Sequence, residues 1–213
     1  YLLKTIEGVV GREKFDTFLK GYFEHFAFKT IITEEFVAYL NENLISQVEG
    51  AEEKIQLNKW IYEAGLPENC PKVSSSRYDQ AFEMAAKWKE GTASKDLITK
   101  GWTYQQWVFF LGAIPQTLTT EQMEDLDAAF GFTKSGNSEI LGKWFVLAAL
   151  NEYKAAYPAM EAFLIQVGRR KFLSPIYTAL SKKENSLAWA KQVYQKARPN
   201  YHSVSFNSID KIL

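Results

Sequence analysis

Apolar residues recur along this chain with the period of an α-helix, and this pattern limits the possible fold more than any other feature. Between residues 12 and 26 large apolar side chains stand three or four positions apart, at Phe15, Phe18, Leu19, Tyr22, Phe23 and Phe26. This spacing puts them on one stripe of a helix, which predicts a face packed against a core. Strand-like alternation is nearly absent, so the sequence predicts an all-α fold.

Start and stop signals divide the chain into further short helices. Thr33 is expected to cap a helix whose first turn is acidic, and Thr119–Gln122 has the form of a capping box. Pro158 and the pair Ser174–Pro175 are expected to open two later helices. A succession of short helices joined by short turns predicts an irregular two-layer α-α superhelix, of the armadillo or HEAT kind, in the second part of the chain.

A stretch rich in proline, glycine and serine interrupts the helical pattern. It extends from Gly65 to Ser76 and contains Pro67 and Pro71. Such a composition favours extended, irregular backbone. The sequence therefore predicts a linker at 66–76 between a helical segment at 1–65 and a helical domain at 77–213.

Charge and composition exclude several classes of partner. The 213 residues include 25 Lys and Arg against 25 Asp and Glu. A balanced charge argues against a nucleic-acid partner, whose phosphates require a basic face. No window approaches the roughly 20 apolar residues that a transmembrane helix needs, so no membrane partner is expected. A single cysteine, Cys70, fits a reducing compartment, and we expect a cytoplasmic protein.

The chain lacks the side chains that a hydrolytic metal centre requires. It has two histidines, His25 and His202, and neither has the second histidine four residues away that zinc helices carry. Nucleophile-elbow, Walker and dinucleotide motifs are also missing from the sequence. We therefore predict no metal ligand and no catalytic residue in this chain.

Three consecutive cations, Arg169, Arg170 and Lys171, lie in a predicted connection between two helices. Cations just after a helix C-terminus balance its dipole, and this is the simpler interpretation on spacing alone. The alternative is an anion site, because arginine can bind a carboxylate through two hydrogen bonds while lysine adds a point charge.

Taken in order, the segments of this chain resemble the C-terminal part of zinc aminopeptidases of the leukotriene hydrolase type, in the aminopeptidase N superfamily of gluzincin metallopeptidases. The more specific matches are Trp60–Tyr62 with Gly65–Pro67, and Gly168–Phe172 with Pro175. Weaker matches occur at Leu2–Leu3, Glu7–Gly11, Phe15–Tyr22, Phe26–Ile31 and Asn137–Ile140 with Trp144.

The resemblance implies that residues 1–65 are the last helices of a thermolysin-like catalytic domain, followed by the C-terminal helical domain. The zinc ligands, the glutamate base and the tyrosine that stabilises the transition state would precede Tyr1, so zinc would belong to the longer enzyme and the fragment alone would be inactive. By position, Arg169 and Lys171 match the family residues that bind the C-terminal carboxylate of a short peptide substrate.

Two functions from different classes remain at this stage. The chain is expected to be part of an aminopeptidase that removes N-terminal residues from short peptides, with the remainder of the catalytic domain as its partner. The alternative is an autonomous helical-repeat module that binds another protein without catalysis. The first predicts an exposed apolar patch at Leu2, Leu3 and Ile6, which the rest of the enzyme would cover.

Overall fold

The structure, a computed structural model, describes residues 1–72 and 74–213. Within these residues the regular elements are α-helices and short 3-10 turns, without a strand, so the predicted all-α fold class is confirmed. Two compact units divide the chain, an N-terminal unit at Tyr1–Ser74 and a C-terminal unit at Ser75–Leu213. The predicted linker at 66–76 includes Val73, which lies outside the described residues, and the boundaries 1–65, 66–76 and 77–213 stay predictions.

The N-terminal unit consists of short helices around a small apolar core. Its helices are α1 (Leu2–Val10), α2 (Arg12–His25), α3 (Thr33–Asn43), α4 (Ala51–Ile55) and α5 (Leu57–Tyr62). Helix α1 packs against α2 and α4, and α2 packs against α3. Phe15 and Phe18, from the predicted stripe, lie in the core with Ile6, Leu40 and Ile55.

Two predictions about exposure in this unit are wrong. Phe23 is 68% exposed, because it directly follows Tyr22 and successive helical residues point about 100° apart. Ile6, expected on an exposed patch, is fully buried in the core of its own unit, whereas Leu3 is 48% exposed. Other strongly exposed apolar side chains of the unit include Phe28, Ile32 and Leu66, besides Phe23.

The C-terminal unit is a two-layer arrangement of helices. Its helices are α6 (Ser76–Lys89), α7 (Tyr104–Ala113), α8 (Thr120–Phe130), α9 (Ser138–Leu150), α10 (Tyr157–Gln166), α11 (Arg170–Leu180), α12 (Glu184–Ala197) and α13 (Ser203–Ile209). Helices α7, α9, α11 and α13 pack in succession as one layer, and α10 packs on α12 in the other. The predicted irregular superhelix is thus confirmed.

Local signals locate some helix starts correctly and misplace others. Thr119 caps α8 as predicted: Gln122 N donates to Thr119 Oγ1 at 3.3 Å, and Thr119 N donates to Gln122 Oε1 at 2.9 Å. Pro158 lies in the first turn of α10, also as predicted. At α3, however, the N-cap is Ile32, whose N donates to the carboxylate of Glu35 at 3.1 Å, and Thr33 is the first helical residue.

The start predicted at Ser174–Pro175 is wrong. Helix α11 begins at Arg170 and contains Pro175 in its interior. The amides of Phe172 and Leu173 both donate to the carbonyl of Arg169, at 3.0 and 3.2 Å, and these bonds start the helix early. Pro175 then removes only the bond to the carbonyl of Lys171, four residues back.

The described helices include none whose length and apolar character would suit a bilayer crossing.

Candidate functional site

The three cations identified in the sequence lie at the start of α11. Arg169 is the N-cap residue, and Arg170 and Lys171 are the first two helical residues. Helix α10 ends at Gln166 with Val167 as its C-cap. The unpaired amides of a helix start carry partial positive charge, which disfavours further cations there. The simpler interpretation, that these cations balance a helix C-terminus, therefore does not account for Lys171.

Phe172 connects the two cations that the resemblance singles out. Its side chain is 8% exposed and packs against Phe163, with ring centroids 6.0 Å apart. The Arg169 Cζ atom lies 5.9 Å from the Phe172 ring centroid, and the Lys171 Nζ atom lies 5.4 Å from it. Both cations therefore lie beside one buried ring, which limits the freedom of their side chains.

Lys171 is paired with a carboxylate from the neighbouring helix. Its Nζ donates to both carboxylate oxygens of Glu139, at 2.5 and 2.7 Å. Glu139 lies in the first turn of α9, where Asn137 Oδ1 accepts from Glu139 N at 2.9 Å and fixes the helix start. The Lys171 side chain is 52% exposed and that of Glu139 30% exposed. The ion pair thus joins the first turns of α9 and α11 while water can still reach it.

A cavity of about 220 Å³ lies beside this ion pair. It is open to solvent on one side and is lined by residues of α7, α9 and α11 together with Gln116. Glu139, Lys143 and Lys171 supply its charged rim, and Leu111, Val146 and Pro175 contribute apolar wall. Arg169 does not line the cavity. The structure therefore brings Lys171 to a pocket and leaves Arg169 beside the same phenylalanine ring but outside it.

The arrangement can bind an anion but offers nothing for metal chemistry. In the described part of the chain, His, Cys, Asp and Glu side chains form no group of three or more that could hold a metal ion. His25 is exposed and packs on Phe26 and Tyr39. His202 caps α13, since its Nδ1 accepts from Val204 N at 3.3 Å. The zinc of the resembled enzymes therefore has no fitting ligand set among these residues.

Sequence reasoning does not identify three residues of this site. It includes Glu139 only within the weak match at Asn137–Ile140, and it gives no role to Lys143 or Gly142. The spacing of Glu139 and Lys143, four residues apart on one helix, is the available signal. Nothing in the sequence indicates that Glu139 pairs with Lys171, since that contact depends on how α9 and α11 pack.

Comparisons with known proteins agree with this fold. The profile of the family described as "Leukotriene A4 hydrolase, C-terminal" matches residues 102–213. Leucine aminopeptidase 2 of Yarrowia lipolytica is 28% identical over 227 residues, covering 98% of this chain and 34% of that protein. Leucine aminopeptidase 2 of Pyricularia oryzae is 31% identical over 215 residues, covering 96% of this chain and 34% of that protein.

Among solved structures, native yeast LTA4 hydrolase is similar with a TM-score of 0.81 at 24% identity, covering 100% of this chain and 38% of that one. At this identity the likeness shows the fold. Fold and site together define the C-terminal unit as an all-helical superhelical domain with a charged pocket at the start of two helices. The profile match covers more than half of the sequence, and the chain belongs to the leukotriene A4 hydrolase C-terminal domain family. It spans about a third of the length of the curated relatives it matches.

Proposed function

We propose that this chain is the C-terminal part of a cytoplasmic zinc aminopeptidase that removes N-terminal residues from short peptides. In this proposal the helical domain lines the substrate cleft, and Arg169 and Lys171 bind the C-terminal carboxylate of the substrate. Two relatives named leucine aminopeptidase, aligned over nearly the whole chain, support the activity.

The observation that carries the proposed site is the carboxylate already bound to Lys171. Glu139 approaches its ammonium with both oxygens, at 2.5 and 2.7 Å. A carboxylate is also the group that ends a peptide. The cations stand at a helix start, where the dipole does not stabilise them. Residues that break a local rule of this kind are often retained for function, which supports a binding role.

The part of the enzyme outside this chain would hold the zinc, which supplies activation of water and polarisation of the peptide carbonyl. The residues of this chain would bind the peptide substrate and orient it. A carboxylate held by Arg169 and Lys171 fixes one end of the peptide and so the position of the bond to be cut. Such remote binding raises turnover to the extent that it aligns the reacting bond.

The N-terminal unit would belong to the catalytic domain. Its exposed apolar side chains include Phe23, Phe28 and Ile32. In this proposal the remainder of the catalytic domain covers them, since exposed apolar groups of this size often mark a contact surface. The alternative, an autonomous interaction module, is not favoured because the relatives are about three times as long as this chain.

The test compares two substrates in the full-length enzyme. Arg169→Ala and Lys171→Ala should each lower kcat/KM for a free tripeptide. The corresponding activation free energy should rise by about 1–2 kcal/mol, less than for a buried pair because water reaches Lys171. An aminoacyl anilide has no carboxylate and should be much less affected. Arg170→Ala is the matched control, since Arg170 is exposed and lies between the other two. Equal losses on both substrates would contradict the assignment.

A further inference from the structure

Glu139 has one observed cationic partner and a second lysine four residues further along its own helix. Its carboxylate binds Lys171 on α11, although Lys143 stands four residues further along its own helix. A glutamate followed by a lysine at this spacing is the usual local ion pair of a helix. Among the residues that the structure describes, Lys143 makes no ion pair, and it lines the same cavity as Glu139 and Lys171.

We propose that Glu139 is a specificity-determining residue that occupies Lys171 until a substrate carboxylate displaces it, whereupon Glu139 turns to Lys143. This inference rests on the proposed function, namely that Lys171 binds the substrate's C-terminal carboxylate. Glu139 then acts as an internal competitor of the same chemical class as the ligand. Only an anion can take its place, so a peptide with a neutral end gains nothing at this position.

The charges of the pair support this exchange. A lysine ammonium has three donors, and two of them point to Glu139. While Glu139 stays in place, an incoming carboxylate would meet one remaining donor and a like charge beside it. Once Glu139 has moved, Lys171 offers all its donors and its full charge to the ligand.

The exchange should cost little free energy. Both side chains of the pair are partly exposed, at 52% and 30%, and exposed pairs contribute only weakly to stability. Lys143 then takes over as partner, so Glu139 does not lose its counter-charge. The movement requires only a change of side-chain rotamer in the first turn of α9, while the Asn137 cap keeps the backbone in place.

The test uses the full-length enzyme with one tripeptide in two forms, with a free carboxylate and with a C-terminal amide. The readout is the ratio of KM for the amide to KM for the free peptide. Glu139→Gln keeps the size of the side chain and removes the competing charge, so this ratio should rise about two- to fivefold, mainly through a lower KM for the free peptide. A ratio that falls or stays unchanged would overturn the proposal.

Lys143→Met tests the second half of the exchange. It removes the alternative partner of Glu139, so the ratio should fall about twofold in the otherwise unchanged enzyme. In the Glu139→Gln background the same substitution should have a much smaller effect, because no carboxylate is left to relocate. An equal effect in both backgrounds would mean that Lys143 acts only through its charge at the pocket, and the exchange would be wrong.

Two further outcomes distinguish this inference from a purely structural role of Glu139 and from a failure of the proposed function. If Glu139 only braces α9 against α11, Glu139→Gln should lower the melting temperature and shift KM equally for both peptides, which contradicts the proposal. Arg169→Ala and Lys171→Met, measured on the same pair of peptides, check the carboxylate site itself. If they leave the ratio unchanged, the proposed function fails and the inference with it. If they lower it while Glu139→Gln does not raise it, the inference alone is wrong.

Discussion

The ring of Phe172 occupies the space that a side chain at Gly142 would need. A Cβ atom at position 142 would lie 2.8 Å from Cδ1 of Phe172, closer than two carbon atoms in contact approach. Glycine at this point of α9 therefore lets α11 pack closely. The same ring lies beside Arg169 and Lys171, so this contact also sets the position of the proposed carboxylate site.

Gly142→Ala should destabilise the protein. The added methyl group forces the buried ring to move, and overpacking of this kind costs about 1–3 kcal/mol, against a gain of about 1 kcal/mol from the better helix propensity of alanine. We expect a net loss of about 1 kcal/mol, measured by urea denaturation.

Gly112→Ala is the matched control for this substitution. Gly112 lies in α7 and lines the same cavity, and a methyl group added there would meet no neighbouring atom within 4 Å. The substitution should leave stability unchanged or raise it by up to about 1 kcal/mol. If Gly142→Ala proves as stable as Gly112→Ala, the close approach of α9 and α11 is not as described.

Periodicity and capping are enough to predict the helical class and much of the layering from sequence. They fail where tertiary packing overrides a local signal. Pro175 suggests a helix start, yet α11 begins five residues earlier, since nothing local marks Arg169 as a cap. Helix α13 escapes prediction, because its seven residues carry too short an apolar pattern.

The site can be predicted only in part, for a similar reason. Arg169 and Lys171 come from the resemblance, whereas their spacing alone favours an ordinary structural role. Glu139 lies 32 positions before Lys171, and a contact between residues so far apart in sequence depends on the packing of two helices. Sequence patterns within one helix carry no information about such a pair.

A half-buried polar network at the end of α8 should be sensitive to loss of one hydroxyl group. Thr133 Oγ1 donates to Asp127 at 2.6 Å and accepts from Trp144 Nε1 at 2.8 Å, and the Trp144 side chain is fully buried. Thr133→Val would leave the indole without a partner, so we expect a loss of about 1–3 kcal/mol in unfolding free energy.

Thr133→Ser retains the hydroxyl and should lose clearly less than the valine variant. Tryptophan fluorescence during denaturation provides the measurement. The valine variant keeps the methyl group and the serine variant keeps the hydroxyl group. A valine variant at least as stable as the serine variant would show that the hydrogen bonds of the hydroxyl are not the larger contribution.

Acid should loosen the C-terminal helix α13 through Asp210. Hydrogen bonds from Arg198 and Tyr194 lower the pKa of Asp210 to about 2, from 3.8. A carboxyl group whose pKa is lowered by folding stabilises the protein above its unfolded pKa, and this contribution is lost as the pH falls through the folded value. The Asp210 contribution is therefore complete above about pH 4 and disappears towards pH 2.

The comparison is with Asp210→Asn, which cannot titrate. Between pH 4 and pH 2 the free energy of unfolding of the unchanged protein should fall more steeply than that of the variant, so the two curves converge. Parallel curves across this range would contradict the lowered pKa. The contrast should shrink at high salt, since water and ions reach both side chains of the pair.

The C-terminal unit should fold when produced alone as residues 75–213. All eight of its helices contribute side chains to one buried apolar cluster, and a single shared core is what gives a domain cooperative unfolding. We expect a single denaturation transition, followed in parallel by far-UV circular dichroism and tryptophan fluorescence. Residues 1–74 have a much smaller core and expose Phe23 and Phe28, so they should unfold without a sharp transition or aggregate. Non-coincident transitions for 75–213 would show that this unit depends on the rest of the protein for its fold.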